Sequence, residues 1–223
     1  MKFFIRYSLI FITLILICGC GKETHHTLPA HHPLALHTKR SLYDNMIDFW
    51  FYRIRTVQQG KCYRSGQLST QRLRACIERY GIKSIINLRG YHPELSWWQH
   101  EKKIADDYGV PLYNVSMNSK SLHSKELITT LLTIFQTAPH PLLVHCASGV
   151  DRAGEAAAIW LLAHENASKK AALKQLSYRY FHIPPLWGGG AMDFFIGLWQ
   201  GKEWAQTIYD PARHQTELAH IHR

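Results

Sequence analysis

The sequence predicts an α/β fold, a central and mostly parallel sheet flanked by helices on both faces. Short apolar, β-branched runs alternate with longer stretches of helical periodicity, the pattern of parallel strands joined by crossover helices. The 223 residues, 46% hydrophobic and 12% aromatic, supply one sizeable core with tails and no second core.

Taken in order, residues 1–20 are a targeting segment. Lys2 and Arg6 precede the apolar run Leu9–Ile17, and Ile17-Cys18-Gly19-Cys20 follows, which resembles the bacterial lipobox with Cys20 as the lipidated residue. This implies a lipoprotein of the bacterial cell envelope, anchored in a membrane and facing the periplasm. An uncleaved anchor helix is the alternative, although the apolar run is short for a span. Residues 21–40 read as a polar, Pro-containing linker. Its histidines (His25, His26, His31, His32, His37) have no Cys or carboxylate partners at ligand spacing, so no metal and no cofactor are expected. The folded domain is expected over 41–205 and a polar tail over 206–223.

Residues 40–55 carry Leu42, Met46, Ile47, Trp50, Phe51 and Ile54 and predict a peripheral packing element. Strands are predicted over 61–64, 82–88, 111–115 and 141–145, and helices over 70–80, 93–108, 125–137 and 152–164. Two further helices are expected over 168–180 and 191–199. Trp97 and Trp98 read as packing residues. The run Ala156-Ala157-Ala158 lets its helix approach the sheet closely.

The chemistry is concentrated in Leu142-Leu143-Val144-His145-Cys146-Ala147-Ser148-Gly149-Val150-Asp151-Arg152. A buried strand runs into a tight loop and then a helix start, which presents unpaired backbone N–H groups and the positive end of a helix dipole. Ligands of parallel sheets sit at the carboxyl ends of the strands, so the loop Ala147, Ser148, Gly149, Val150, Asp151, Arg152 is the expected phosphate cradle. Gly149 allows the backbone a positive φ. Cys146 beneath the anion is the candidate nucleophile, its thiol acidified by the helix start and a nearby cation. Arg152 offers a planar fork to two phosphate oxygens. Attack on a phosphomonoester through a phosphocysteine follows as the expected reaction.

His145, Cys146, Gly149 and Arg152 in this spacing resemble the signature of the cysteine-based protein-tyrosine and dual-specificity phosphatase superfamily. Cys62-Tyr63-Arg64-Ser65-Gly66-Gln67-Leu68 and Ile85-Ile86-Asn87-Leu88-Arg89-Gly90 are similar to the strands of its compact bacterial branch. So are Gln175–Tyr180 and the Gly188-Gly189-Gly190 turn, and the likeness spans about residues 60–200. The resemblance implies a phosphatase fold and a phosphorylated protein, small phosphomonoester or phospholipid headgroup as substrate.

Two positions depart from the family pattern. Ala153 stands where a Ser or Thr hydroxyl usually assists breakdown of the intermediate. The stretch Leu112–Ser124, where the family's acidic loop belongs, has no Asp or Glu. Asp151 is the alternative catalytic acid, as in phosphoinositide phosphatases with an in-loop Asp, or else a helix cap. Glu94 is a weaker candidate.

Cys62 and Cys76 have the option of pairing in an oxidising compartment, and Cys62 that of approaching Cys146 reversibly. The net charge of +10 becomes +8 once Lys2 and Arg6 leave, which suits anionic substrates or an anionic lipid surface. No stripe of Lys and Arg interleaved with aromatics is present, so nucleic acid is not an expected partner. A feeble phosphate-binding module and a rhodanese-like sulfurtransferase are the competing classes. Arg152 and the five-residue spacing speak against the latter.

Overall fold

The computed structural model describes residues 54–184 and 190–221. The targeting segment with Cys20, the linker, nearly all of the 40–55 element and the first two glycines of the 188–190 turn lie outside the described residues.

A five-stranded sheet organises the chain, in the order β1-β2-β5-β3-β4. The strands are β1 (Arg55–Gln58), β2 (Cys62–Ser65), β3 (Ser84–Asn87), β4 (Leu112–Asn114) and β5 (Leu142–His145). Only β1 is antiparallel, paired to β2 through a tight turn at Gly60 (φ +71°). The other four are parallel and level. Ser65 pairs with His145, His145 with Asn87, and Asn87 with Asn114, so four strands end along one line. Every residue of β2, β3 and β5 is buried, as the run of apolar residues in a sheet covered on both faces requires.

Strand alternation divides the core. Helices α1 (Thr70–Tyr80) and α2 (Ser96–Asp107) cover one face, packing Leu73, Cys76, Ile77, Ile104 and Ala105 on Tyr63, Ile85 and Leu143. Helices α3 (Lys125–Thr137), α4 (Asp151–His164) and α6 (Gly190–Leu198) cover the other, on Cys62, Ile86, Leu142 and Val144. Between α4 and α6 lies the short α5 (Lys169–Ala172). Ser69 and Ser124 cap α1 and α3 by accepting from Arg72 N and Leu127 N, which satisfies donors that the first turn leaves open. In α4, Ala153, Ala156, Ala157 and Ala158 are wholly buried, so the helix lies close against the sheet. Among the described residues no helix is long and apolar enough to cross a membrane.

Three expectations change. The expected helix 168–180 is broken into α5 and two 3₁₀ turns, Leu173–Gln175 and Tyr178–Tyr180. Gln175 gives both its carbonyl oxygen and its Oε1 to the buried Arg64, at 2.7 and 2.9 Å, and its chain is drawn out of helical register. Residues 206–221 do not form a free polar tail. Helix α7 (Lys202–Thr207), a 3₁₀ turn and helix α8 (Gln215–Ile221) pack there, and Tyr209 (1% exposed) and Leu218 (6%) join the core. A Cys62–Cys76 disulfide is not made, because Cys62 faces the α4 side of the sheet and Cys76 the α1 side. Cys62 and Cys146 are both free thiols. Burial raises the Cys62 thiol pKa, against a smaller opposite pull from Arg64.

Candidate active site

The level strand ends bring four turns together on one edge. The β2 turn contributes Gly66 and Gln67, the β3 turn Leu88 and Arg89, the β4 turn Val115 and Ser116, and β5 runs into Cys146. Backbone bonds join them: Leu88 N donates to His145 O at 2.8 Å, Val115 N to Asn87 O at 2.9 Å and Gln67 N to Ala147 O at 3.0 Å.

The loop curls around the sulfur. Cys146 is 1% exposed, and Gly149 N–H donates to its Sγ at 3.2 Å. Gly149 has φ +73°, and a Cβ there would meet Gly66 N at 2.5 Å and Ser65 C at 2.7 Å. Only glycine suits both the conformation and the space. Ala147 and Ser148 are exposed at the crest, Val150 is buried and Asp151 and Arg152 are half-buried. Arg152 Nη1 donates to Leu88 O at 3.3 Å, which leaves the rest of its guanidinium fork available. The structure thus brings together Cys146, Gly149 and Arg152 at the start of α4.

Behind the loop stands Arg64, which the sequence reading quoted in a motif without a role. It is wholly buried and donates to Gly149 O at 3.0 Å and Val150 O at 3.1 Å, besides Gln175. Its guanidinium lies 4.5 Å from the Tyr180 ring centroid. Burial lowers its pKa to about 10, against opposing pulls from Tyr180 and Cys146. By holding those two carbonyls on the inner side, Arg64 fixes the loop conformation. Gly154 on α4 admits this arrangement, since a Cβ would meet Leu176 Cδ2 at 2.9 Å and Gln175 O at 3.0 Å.

Asp151 is neither the helix cap nor free. The cap is Val150, without a side-chain bond, and Asp151 in the first turn accepts from His182 Nδ1 at 2.8 Å. His182 Nε2 contacts Asp193 Oδ2 on α6 at 2.9 Å. Burial opposes the charge on His182, but its bonds to Asp151 and Asp193 outweigh that and raise its pKa to about 9. Spacing carries no sign of this cluster, whose members are 31 and 11 residues apart. His145 is buried with its Nε2 2.7 Å from Glu101 Oε1 of α2, and His123 pairs with Glu155 of α4 at 2.9 Å. Glu94 is exposed and contacts His92 at 3.2 Å. Trp98, as expected, packs, and donates to Asn114 Oδ1 at 2.8 Å. Trp97 instead carries the Arg89 guanidinium 3.4 Å from its ring centroid. Among the described residues no group of three or more His, Cys, Asp or Glu side chains is arranged to hold a metal ion.

Comparison with known proteins bears on this loop directly. The family model described as "Tyrosine phosphatase family" matches residues 48–172. Among solved structures, the catalytic core of Siw14 from S. cerevisiae superposes with a TM-score of 0.53 at 26% identity, covering 66% of this chain and 85% of its own. TpbA from P. aeruginosa gives a TM-score of 0.50 at 16% identity over 71% and 86%. A putative phosphatase from Shewanella putrefaciens gives 0.51 at 16% over 70% and 99%. A search of curated proteins finds no match. The fold is that of the protein-tyrosine and dual-specificity phosphatases, and the chain, a cysteine-dependent phosphatase hydrolase, belongs to the tyrosine phosphatase family.

Proposed function

We propose that the chain hydrolyses phosphomonoesters through a phosphocysteine at Cys146, with Arg152 clamping the phosphate. The observation that carries this is the loop curled on the sulfur, with Gly149 N–H 3.2 Å from Sγ at the N-terminus of α4. A phosphate over Cys146 would take loop N–H groups and the Arg152 fork on its equatorial oxygens, where charge resides in the transition state. The thiolate attacks phosphorus, the ester oxygen departs, and water then displaces the thiolate to release inorganic phosphate.

Asp151 is read here as a bracing carboxylate, because His182 engages it. No acid stands in the 112–124 stretch, so leaving groups that depart without protonation are favoured, aryl oxides (pKa about 10) over alkoxides. Replacing Asp151 by Asn should then cost alkyl and aryl phosphates the same factor. A loss confined to the alkyl ester would make Asp151 the acid instead. Ala153 offers no hydroxyl for the second step, so phosphocysteine should accumulate. Rapid acid quenching followed by mass spectrometry should find phosphate on the peptide containing Cys146, and Ala153→Ser should shorten the life of that species. Absence of the adduct under single turnover would refute the covalent route.

A small phosphorylated molecule is the preferred substrate class over a phosphoprotein. Siw14, at 26% identity, is a PP-IP phosphatase, and the acid-poor site agrees with a substrate that supplies its own good leaving group. A phospholipid headgroup falls in the same class. The lipobox-like Ile17–Cys20 supports a lipid anchor at Cys20 and an envelope location. Mass spectrometry of the membrane-extracted protein should find residues 1–19 removed, and an intact Met1 would refute the anchor.

A further inference from the structure

The large hydrophobic side chains left in solvent gather at one end of the domain. Among the described residues they are Tyr91 (65% exposed), Leu95, Tyr178 (73%) and Ile208. Tyr91 and Leu95 belong to the turn after β3, whose Arg89 Nη1 donates to Gln67 Oε1 at 2.8 Å, while Gln67 N donates to Ala147 O of the phosphate loop at 3.0 Å. Tyr178 opens the 3₁₀ turn whose Tyr180 ring centroid lies 4.5 Å from the Arg64 guanidinium, and His182 on Asp151 follows. Ile208 follows α7, whose Thr207 O accepts from Lys125 Nζ at the start of α3, 3.3 Å away. All four therefore lie toward the strand ends that carry Cys146. Exposed apolar side chains are ordinary singly, but around one loop they form a face.

The same end is basic. Residues 166–192 carry Lys169, Lys170, Lys174 and Arg179 and no Asp or Glu. All four cations are exposed, as is Lys120 in the turn after β4. Among the described residues, Lys120, Lys174 and Arg179 have no acidic partner, whereas Lys102 and Lys103 on α2 pair with Asp106 and Asp107. The acids nearest the Cys146 loop are already engaged, Glu94 by His92 at 3.2 Å and Asp151 by His182 at 2.8 Å. The chain also enters here. β1 is antiparallel to β2 with Arg55 opposite Arg64, and the next residue of β2, Ser65, pairs with His145. The residues before Ile54 thus join the domain at the Cys146 end, where the Arg55 guanidinium lies 6.0 Å from the Tyr180 ring centroid. Residues 21–53 separate Cys20 from that point, a contour of at most about 110 Å. A tether of that length keeps the domain near a membrane without fixing which side faces it.

We propose that this end of the domain docks on an anionic phospholipid surface, with Lys120, Lys174 and Arg179 against the headgroups and Tyr91 and Tyr178 at headgroup depth. This rests on the anchor proposed at Cys20 for the tether, and on the residues above for the contact. Tyrosine suits that layer, since its ring leaves water while its hydroxyl stays wet. Attraction of a basic residue to an anionic leaflet falls off within about 10 Å, so only cations on the docked end contribute. A weak attraction suffices, because the tether raises the local concentration of the domain. Docked this way, the mouth of the Cys146 loop faces the headgroup layer.

The test uses the full chain with Cys20→Ser, which carries no lipid, on vesicles of phosphatidylcholine with and without phosphatidylglycerol. Residues before 54 are otherwise the same in every variant, so a change in the ratio of the two affinities reports the face. Lys174→Gln with Arg179→Gln should lower that ratio about 30-fold, the scale of two basic residues at an anionic surface. Lys102→Gln with Lys103→Gln removes the same charge from α2 and should leave the ratio unchanged. Both double variants should keep the parent's turnover of p-nitrophenyl phosphate in solution. Hydrogen exchange of the parent decides the point without variants. Peptides covering 89–95 and 174–181 should gain protection on the phosphatidylglycerol vesicles and not on the neutral ones. A parent ratio of one, equal losses in the two double variants, or protection confined to other peptides overturns the proposal. So does polyglutamate that protects the same peptides as well as the vesicles do, which would make the partner an acidic polypeptide. Full protection without vesicles would make it a second copy of the chain, and overturns the proposal too. An intact Met1 on the parent would refute the anchor, while the ratio still decides the face.

Discussion

Single residues set the shape of the phosphate loop, and two of them tolerate little change. Gly149 combines φ +73° with a Cβ position 2.5 Å from the backbone of Gly66. Neither obstacle is a flexible side chain, so the loop itself must move. Gly149→Ala should destabilise the protein by about 2 kcal/mol or more and depress phosphate release, as checked by urea unfolding beside the assay. Arg64 holds the opposite side of the same loop. Its removal strands the carbonyls of Gly149 and Val150, so Arg64→Ala should cost about 3 kcal/mol or more, the scale of two or more buried acceptors left unsatisfied, with a falling kcat. A stable variant with wild-type kcat would show that Arg64 does not shape the loop. Cys146 and Arg152 were legible because nucleophile, turn glycine and clamp lie within seven consecutive positions. Arg64 was not, because its bond to Gly149 spans 85 residues, a distance at which spacing carries no information.

At the scale of elements, His182 fastens the first turn of α4 to α6. Its folded pKa of about 9 lies above the unfolded value of 6.5. The protonated pair therefore stabilises the fold fully below about pH 6.5, and the contribution is lost as pH rises through about 9. The span corresponds to about 3 kcal/mol. Stability measured by denaturant from pH 6 to pH 10 should fall over that window, and His182→Gln should flatten the fall. An unchanged profile in the variant would remove His182 from this role. Elements defined by their own pattern were legible: α1 and α3 span the residues 70–80 and 125–137 that helical periodicity predicted. Elements decided by partners were not. Strand β1 is a four-residue edge strand that exists by pairing with β2, and the 168–180 stretch gives up helical bonds to satisfy Arg64.

Over the described residues the domain is a sheet covered on both faces whose four parallel strands end level, and that alignment assembles the site from turns distant in sequence. The alternation of strands and helices made the fold legible. The order β1-β2-β5-β3-β4, which puts the Cys146 strand at the centre between the turns bearing Gln67 and Arg89, was not, because strand order follows from packing rather than local pattern. The same centrality concentrates chemistry on one residue. Release of phosphate from p-nitrophenyl phosphate, with and without vanadate and with Cys146→Ser beside the parent, is the most direct test of a phosphatase acting through Cys146. Turnover that vanadate blocks, EDTA leaves alone and Cys146→Ser abolishes is the expected result. Turnover that survives Cys146→Ser would contradict the assignment of the nucleophile.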